Sequence, residues 1–208
     1  MPRAILLGVS LAFCSLVTPR VRAGDDVSGP VELTPAEQKV VRGLAEQALK
    51  ARDLFKGKIY LTRTEAFREV TGKAPRHLAI LTYYRYDGDL GILVNVDLDR
   101  KEVLGVEAIP HLPTSLTPQE IAEADKLARA NPEVGRFLQR YGPAAKIDVD
   151  SLVVFTTVKE AFGYHHRVVR LHFRQGRDYL LYAPLVEVDL TAGAVRVERN
   201  DKMHKDAP

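Results

Sequence analysis

At 208 residues the chain has room for one large domain or for two of about 100 residues each. Its formal net charge is +3, and the first 23 residues account for all of it: without Arg3, Arg20 and Arg22, 27 of the 30 basic residues remain against 27 acidic ones. A balanced chain lacks the clustered positive surplus that nucleic acid or an anionic membrane surface requires. The one cysteine, Cys14, lies in the same opening stretch, so the remainder has no thiol for a disulfide, a nucleophile or a metal.

Residues 1–23 read as a signal peptide. A short basic start precedes an apolar run from Ala4 to Val17, too short for the ~20 residues of a membrane span, and Val21-Arg22-Ala23 is a small-x-small cleavage pattern. Cleavage after Ala23 predicts a secreted or periplasmic protein with no membrane attachment afterwards. Residues 24–32 read as a flexible polar lead-in.

The first helix is predicted from Thr34. Thr34 is a good N-cap, Pro35 suits the first helical position, and Glu37 completes a capping box. Val41, Leu44, Ala45 and Ala48 then follow at helical spacing. A strand is predicted over 58–64, a short helix or loop over 65–75, and a strand over 77–86. Asp87-Gly88 marks a turn, and strands follow over 91–98 and 102–109. Pro110 and Pro113 bracket a connector. A second capping box, Thr117 to Glu120, opens a helix that Asn131-Pro132 breaks or restarts. Strands are then predicted over 147–158, 165–173 and 179–190, the last interrupted at Pro184, and over 194–199. Residues 200–208 form a polar tail.

Two patterns recur. Val94-Asn95-Val96-Asp97-Leu98, with Val103 after the turn, returns as Val186-Glu187-Val188-Asp189-Leu190 with Val195 after the turn. Leu33-Thr34-Pro35-Ala36-Glu37 returns as Leu116-Thr117-Pro118-Gln119-Glu120. The expected fold is therefore α+β: two tandem cystatin-like repeats, 33–110 and 111–199, each one helix packed on a three- to four-stranded antiparallel sheet.

The order of these motifs resembles the two small N-terminal α+β domains of copper amine oxidases. The helix opening at Leu33 to Glu37, the Val96-Asp97-Leu98 strand end, the Pro110 to Glu120 passage with Asn131-Pro132-Glu133-Val134 beyond it, and the strand, turn and strand after Pro184 carry the likeness. In that family a separate large β-sandwich holds the catalytic machinery: a tyrosine in a Thr-x-x-Asn-Tyr-Asp/Glu motif that becomes topaquinone, and three copper-binding histidines. This sequence has no Asn-Tyr pair and no His-x-His pair. The resemblance thus implies a module that is not an enzyme on its own and binds no cofactor itself, with copper and topaquinone only in a partner chain. The expected partner is a protein, such as an amine oxidase catalytic chain. A free-standing small-ligand-binding or inhibitor-type domain is the alternative.

His165, His166 and His172 are the metal candidates, since histidine is the commonest metal-binding side chain. On a strand, His165 and His166 would point to opposite faces, and His166 and His172 would lie about 20 Å apart. Ordinary, partly exposed histidines are the plainer reading. Asn95 with Asp97 and Glu187 with Asp189 read as polar pairs on solvated sheet faces. Tyr83, Tyr84, Tyr86, Tyr179 and Tyr182 form a tyrosine-rich set suited to an interface. Ser151, Thr156 and Thr157 show no nucleophile-elbow pattern.

Overall fold

The computed structural model describes residues 26–71, 74–142, 146–156, 158–180 and 184–198. Over these residues the chain is α+β, with two antiparallel sheets and three helices. The predicted leader, the predicted tail, Thr157 and Tyr182 lie outside them.

The first sheet is a five-stranded meander: β1 (Asp26–Pro30), β2 (Ile59–Thr71), β3 (Ala74–Arg85), β4 (Leu90–Asp97) and β5 (Glu102–Pro110) lie side by side in chain order. The stretch 65–75 is not the expected helix or loop. Residues 65–71 continue β2 and pair along β3, from Glu65 opposite Ile80 to Thr71 opposite Ala74. Glu65 is exposed, Ala66 is buried, and Glu69 meets Arg76 across the ladder at 3.8 Å. Pairing with the neighbouring strand prevails over local propensity. The expected lead-in also contains a strand: β1 pairs antiparallel with β2, and Val31 N–H donates to the Ala66 carbonyl at 2.9 Å. Pro30 ends it on the sheet edge, where a missing N–H is tolerated.

Helix α1 (Pro35–Ala51) packs Val41, Ala45 and Leu49 onto this sheet. Ala79, Leu81 and Tyr83 of β3 and Ile92, Val94 and Val96 of β4 complete the first core. The capping box forms as predicted: Thr34 N–H donates to Glu37 Oε2 at 2.8 Å, and Glu37 N–H to Thr34 Oγ1 at 3.3 Å.

Helix α2 (Pro118–Ala130) starts with the same device at Thr117 and Glu120. Asn131 ends it and restarts the chain as α3 (Pro132–Gln139), its side chain accepting from Glu133 N–H at 2.9 Å. The second sheet contains β6 (Ile147–Val154), β7 (Val168–Gln175), the two-residue β8 (Asp178–Tyr179), β9 (Leu185–Asp189) and β10 (Ala194–Glu198). Its order is β10-β9-β7-β6, with β8 paired to the end of β7. Its core joins Ala124, Ala128 and Val134 of the helices to Val169, Leu171, Phe173, Val186, Val188 and Leu190.

The expected strand over 165–173 begins only at Val168, so His165 and His166 belong to the preceding loop. The expected strand over 179–190 is two pieces, β8 and β9. The sheets share a register: Leu78 opposes Asp97 and Ala79 opposes Val96 in the first, as Val168 opposes Asp189 and Val169 opposes Val188 in the second.

The outward faces are not simply solvated. Asp97, Glu187 and Asp189 are only 1%, 2% and 3% exposed. Asp97 accepts from Arg76 Nη2 at 2.8 Å and from Arg100 N–H at 3.0 Å. Glu187 lies between Arg170, at 2.6 Å, and Arg196. Burial alone would raise both carboxyls, but their arginine partners, with the Arg100 amide on Asp97, hold both below the ordinary carboxylate range.

Candidate functional site

Two conspicuous groups of polar and aromatic side chains meet where the first sheet abuts the second core, and a third lies on the exposed surface of the second sheet. The most buried is centred on Glu120, which is 0% exposed. Its Oε2 accepts from Thr117 N–H as part of the cap, and its Oε1 accepts from Arg167 Nε at 3.0 Å and from Tyr86 Oη at 2.9 Å. Arg167, 1% exposed, donates from Nη1 to the Thr114 carbonyl at 3.1 Å and from Nη2 to the Ser115 carbonyl at 2.7 Å and to Glu120 Oε2 at 3.4 Å. Its guanidinium lies 4.3 Å from the ring centre of Tyr84, a cation–π contact. Burial would raise the Glu120 carboxyl, yet Arg167 and the cap hydrogen bonds keep it ionised, below the ordinary glutamate value. Burial, and then the neighbouring carboxylates, push the Tyr84 and Tyr86 hydroxyls far up.

The second group lies beside the first. Tyr84 Oη donates to Asp89 Oδ1 at 2.7 Å, and Asp89 Oδ2 meets His111 Nδ1 at 2.7 Å. The His111 ring stacks on His165 at 3.8 Å, and His165 stacks on Tyr164 at 3.7 Å. Next in sequence, His166 Nδ1 meets Asp189 Oδ2 at 2.6 Å, while Asp189 Oδ1 caps the Thr191 and Ala192 amides. Asp89, His111 and His165 have φ of 47°, 57° and 57°, a region that non-glycine residues seldom occupy. Three such residues in contact mark the place as over-determined by its surroundings.

An imidazole whose Nδ1 is held by a carboxylate offers Nε2 as base or ligand. The geometry does not gather these rings around one ion. The stacked planes of His111 and His165 are 28° apart, so their in-plane lone pairs run side by side instead of converging. His172 is elsewhere, on β7 opposite Asp150 and edge-on to Tyr179 at 6.3 Å, roughly 13 Å along the strand from Val168. Among the described residues no three His, Cys, Asp or Glu side chains form a group able to hold a metal. The expectation that His165 and His166 diverge across a strand is corrected, because neither lies on one.

The tyrosines separate in the same way. Tyr83 lies in the first core, where burial pushes its hydroxyl up to about 12. Tyr84 and Tyr86 are buried between the two sheets and are not available to another molecule. Tyr179 is 57% exposed and donates to Asp150 Oδ2 at 2.8 Å, a bond that lowers the Asp150 carboxyl.

No protein-family model matches this chain, and no curated protein matches it.

The third group is the exposed surface around Tyr179. Asp150, Ser151, Leu152, His172 and Tyr179 line an open groove of about 470 Å³ on the second sheet. Leu152 is 43% exposed, and Phe155 and Val158, just past the end of β6, are also exposed. Asp89, His111, Tyr164 and Arg167 were not singled out by sequence. The one local signal was His111 between two prolines, in a connector with no periodicity to read.

Proposed function

We propose that this protein is a secreted accessory module of two tandem cystatin-like repeats, non-catalytic by itself, that binds another protein through the outer surface of its second sheet. The shared strand register and the paired capping boxes support the repeat reading. The observation that carries the binding reading is the clustering of exposed apolar side chains. Leu152, Phe155, Val158 and Tyr179 all belong to or flank the β6–β8 side of one sheet. Leu152 and Tyr179 share the open groove with Asp150, Ser151 and His172, and exposed apolar surface rimmed by polar groups is a signature of protein contacts. The resemblance to the N-terminal domains of copper amine oxidases supports a partner that supplies the copper and topaquinone chemistry.

The test is affinity capture with the tagged chain 24–208 from its own extracytoplasmic fraction, alongside the Tyr179→Ala variant. Recovery of a protein that stains for a redox-active quinone with the parent chain, and its loss with the variant, is the expected result. Capture without any quinone-bearing protein overturns the amine oxidase link.

A second reading, small-ligand binding, rests on a different feature. A groove of about 610 Å³ runs between residues 30–33 and β2, floored by Val31, Leu33, Ala66 and Phe67. That volume is within the usual range of small-molecule sites. A small molecule retained through purification, with its removal altering the environment of Phe67, would favour it.

A further inference from the structure

We infer that the His166–Asp189 contact is a proton-operated latch: it holds the loop of residues 158–166 on the outer face of the second sheet at mildly acidic pH and loosens it as the imidazole loses its charge. The latch acts within this chain and is independent of what that face binds.

The first sheet carries the same joint in a form that protons do not alter. Arg76-His77 immediately precede Leu78 as His166-Arg167 immediately precede Val168, and Leu78 and Val168 hold matching places opposite Asp97 and Asp189. The backbone repeats the match. His77 N–H donates to Asp99 Oδ2 at 2.8 Å, and Arg167 N–H donates to Thr191 Oγ1 at 3.0 Å. Leu98 N–H and Leu190 N–H donate to the His77 and Arg167 carbonyls, each at 2.8 Å. Asp97 Oδ1 accepts from Arg100 N–H as Asp189 Oδ1 accepts from Ala192 N–H. Within this shared frame the arginine and the histidine have changed places. In the first unit Arg76 meets the buried Asp97, and His77 faces the cap residue Glu37 at 3.9 Å. In the second, His166 meets the buried Asp189 at 2.6 Å, and Arg167 meets the cap residue Glu120 at 3.0 Å. A guanidinium stays charged, whereas imidazole changes charge between about pH 5 and 8. The joint at the strand end is thus permanent in the first unit and titratable in the second.

The titratable joint ties down the loop before β7. Gly163 lies directly over Val168 and Asp189, and the Phe162 ring covers the Arg196 guanidinium. His166, at the end of the loop, fastens it to β9. A protonated His166 makes an ion pair with Asp189, and a neutral one keeps only a weaker hydrogen bond. The hold is therefore complete below the imidazole range and declines as pH rises through it. Other charges surround the joint. His165 of the same loop is stacked between Tyr164 and His111 of the connector, and His111 meets Asp89. Protonating both rings of that stack sets like charges side by side and works against closure. Arg167 is bound to Glu120, and Arg196 to Glu187 and Glu198. Loosening the loop uncovers Val168, which is now buried, and the Phe162 side of Arg196.

The chain has no tryptophan, so Phe162→Trp in the full chain gives a single indole on the loop. Acrylamide quenching of that indole should be at least about twofold stronger at about pH 8 than at about pH 5, as befits a partly exposed ion pair. Adding His166→Arg, which copies the first unit, should hold quenching at the low level at both pH values. The reciprocal change is read separately by amide NMR: Arg76→His should make the Arg100 amide shift more across this range than it does in the parent chain. Amide spectra of each variant report whether the fold is kept. Equal quenching at the two pH values, or stronger quenching in acid, overturns the latch. So does a pH dependence that survives His166→Arg. If His165→Asn abolishes the dependence while His166→Arg leaves it, the His111–His165 stack operates the loop and the assignment to His166 fails.

Discussion

Arg167 and Glu120 show how one buried pair constrains the whole junction. Both side chains are almost wholly removed from water, and every strong contact of one depends on the other or on a neighbouring carbonyl, amide or hydroxyl. Removing one partner of such a pair leaves an uncompensated buried charge, at a cost of about 3–5 kcal/mol. Arg167→Met should therefore destabilise by roughly that amount, while Arg167→Met combined with Glu120→Gln should recover part of it, as measured by urea unfolding. Additive losses in the double variant would show that the pair is not coupled. The pH dependence follows from the sign of the shift. Glu120 and Glu187 are held below the ordinary glutamate value of 4.5. Their contribution is complete above that pH and is lost as pH falls through the lower folded-state values. Glu120→Gln should flatten the acid limb of the stability curve. Little of this was legible in the sequence. Glu120 was readable as a cap residue, because a cap is a local pattern. Its second role needs Arg167, 47 residues away. Asp97, Glu187 and Asp189 were assigned to the correct alternating face, but alternation cannot say what covers that face. Here arginines, turn amides and the loop carrying Phe162, whose ring lies 5.1 Å from the Arg196 guanidinium, cover it.

Elements with strong local signals came out where the sequence put them. Both capping boxes, the restart at Asn131 and the β4–β5 hairpin each depend on residues a few positions apart. The misread elements depend on distant neighbours. Residues 65–71 are extended because β3 lies beside them, and β7 starts late because residues 163–166 are tied to elements outside the strand. A Cβ on Gly163 would fall 2.1 Å from Val168 Cγ2, and its φ is 69°. His166 and His165 are then drawn to Asp189 and His111. The two caps also make a comparison within one molecule. Thr34 is exposed, whereas Thr117 is buried beside the Glu120–Arg167 pair. Losing an N-cap hydroxyl costs about 0.5–2 kcal/mol. Thr34→Ala should fall at the low end and Thr117→Ala at or above the high end, since the second also disturbs the carboxylate that Arg167 needs. Equal losses in thermal unfolding would mean that the second cap is energetically separate from the junction.

At the scale of the whole molecule the two cores are unequal. The first is assembled from residues of α1 and the first sheet alone. The second takes in Tyr84 of the first sheet and Tyr86 just past the end of β3, with Tyr60 packed against that core, and Tyr86 also supplies a hydrogen bond to Glu120. Lys58 adds an ion pair to Glu123 of α2 at 2.9 Å. Tyr84 and Tyr86, expected at an outward interface, thus form an inward one: the Tyr86 hydroxyl donates to Glu120 across the junction, and the Tyr84 ring meets the Arg167 guanidinium there while its hydroxyl donates to Asp89 in the turn that follows its own strand. Folding should be hierarchical as a result. A fragment of residues 24–110 keeps its entire core and should give dispersed amide NMR signals and a cooperative melt. A fragment of residues 111–200 loses two large buried rings and leaves Glu120 with one acceptor site unfilled. It should lack a cooperative transition, and mixing with the first fragment should restore it. In the intact chain, Tyr84→Ala with Tyr86→Ala should unfold the second sheet before the first, since truncating buried aromatic side chains costs about 3–5 kcal/mol each. Hydrogen exchange resolves the order: amides of β7 and β9 should lose protection in the double variant while those of β3 and β4 away from the substitutions keep theirs. Uniform loss across both sheets would mean that the two cores fold as one, and that the first sheet depends on the second as much as the reverse.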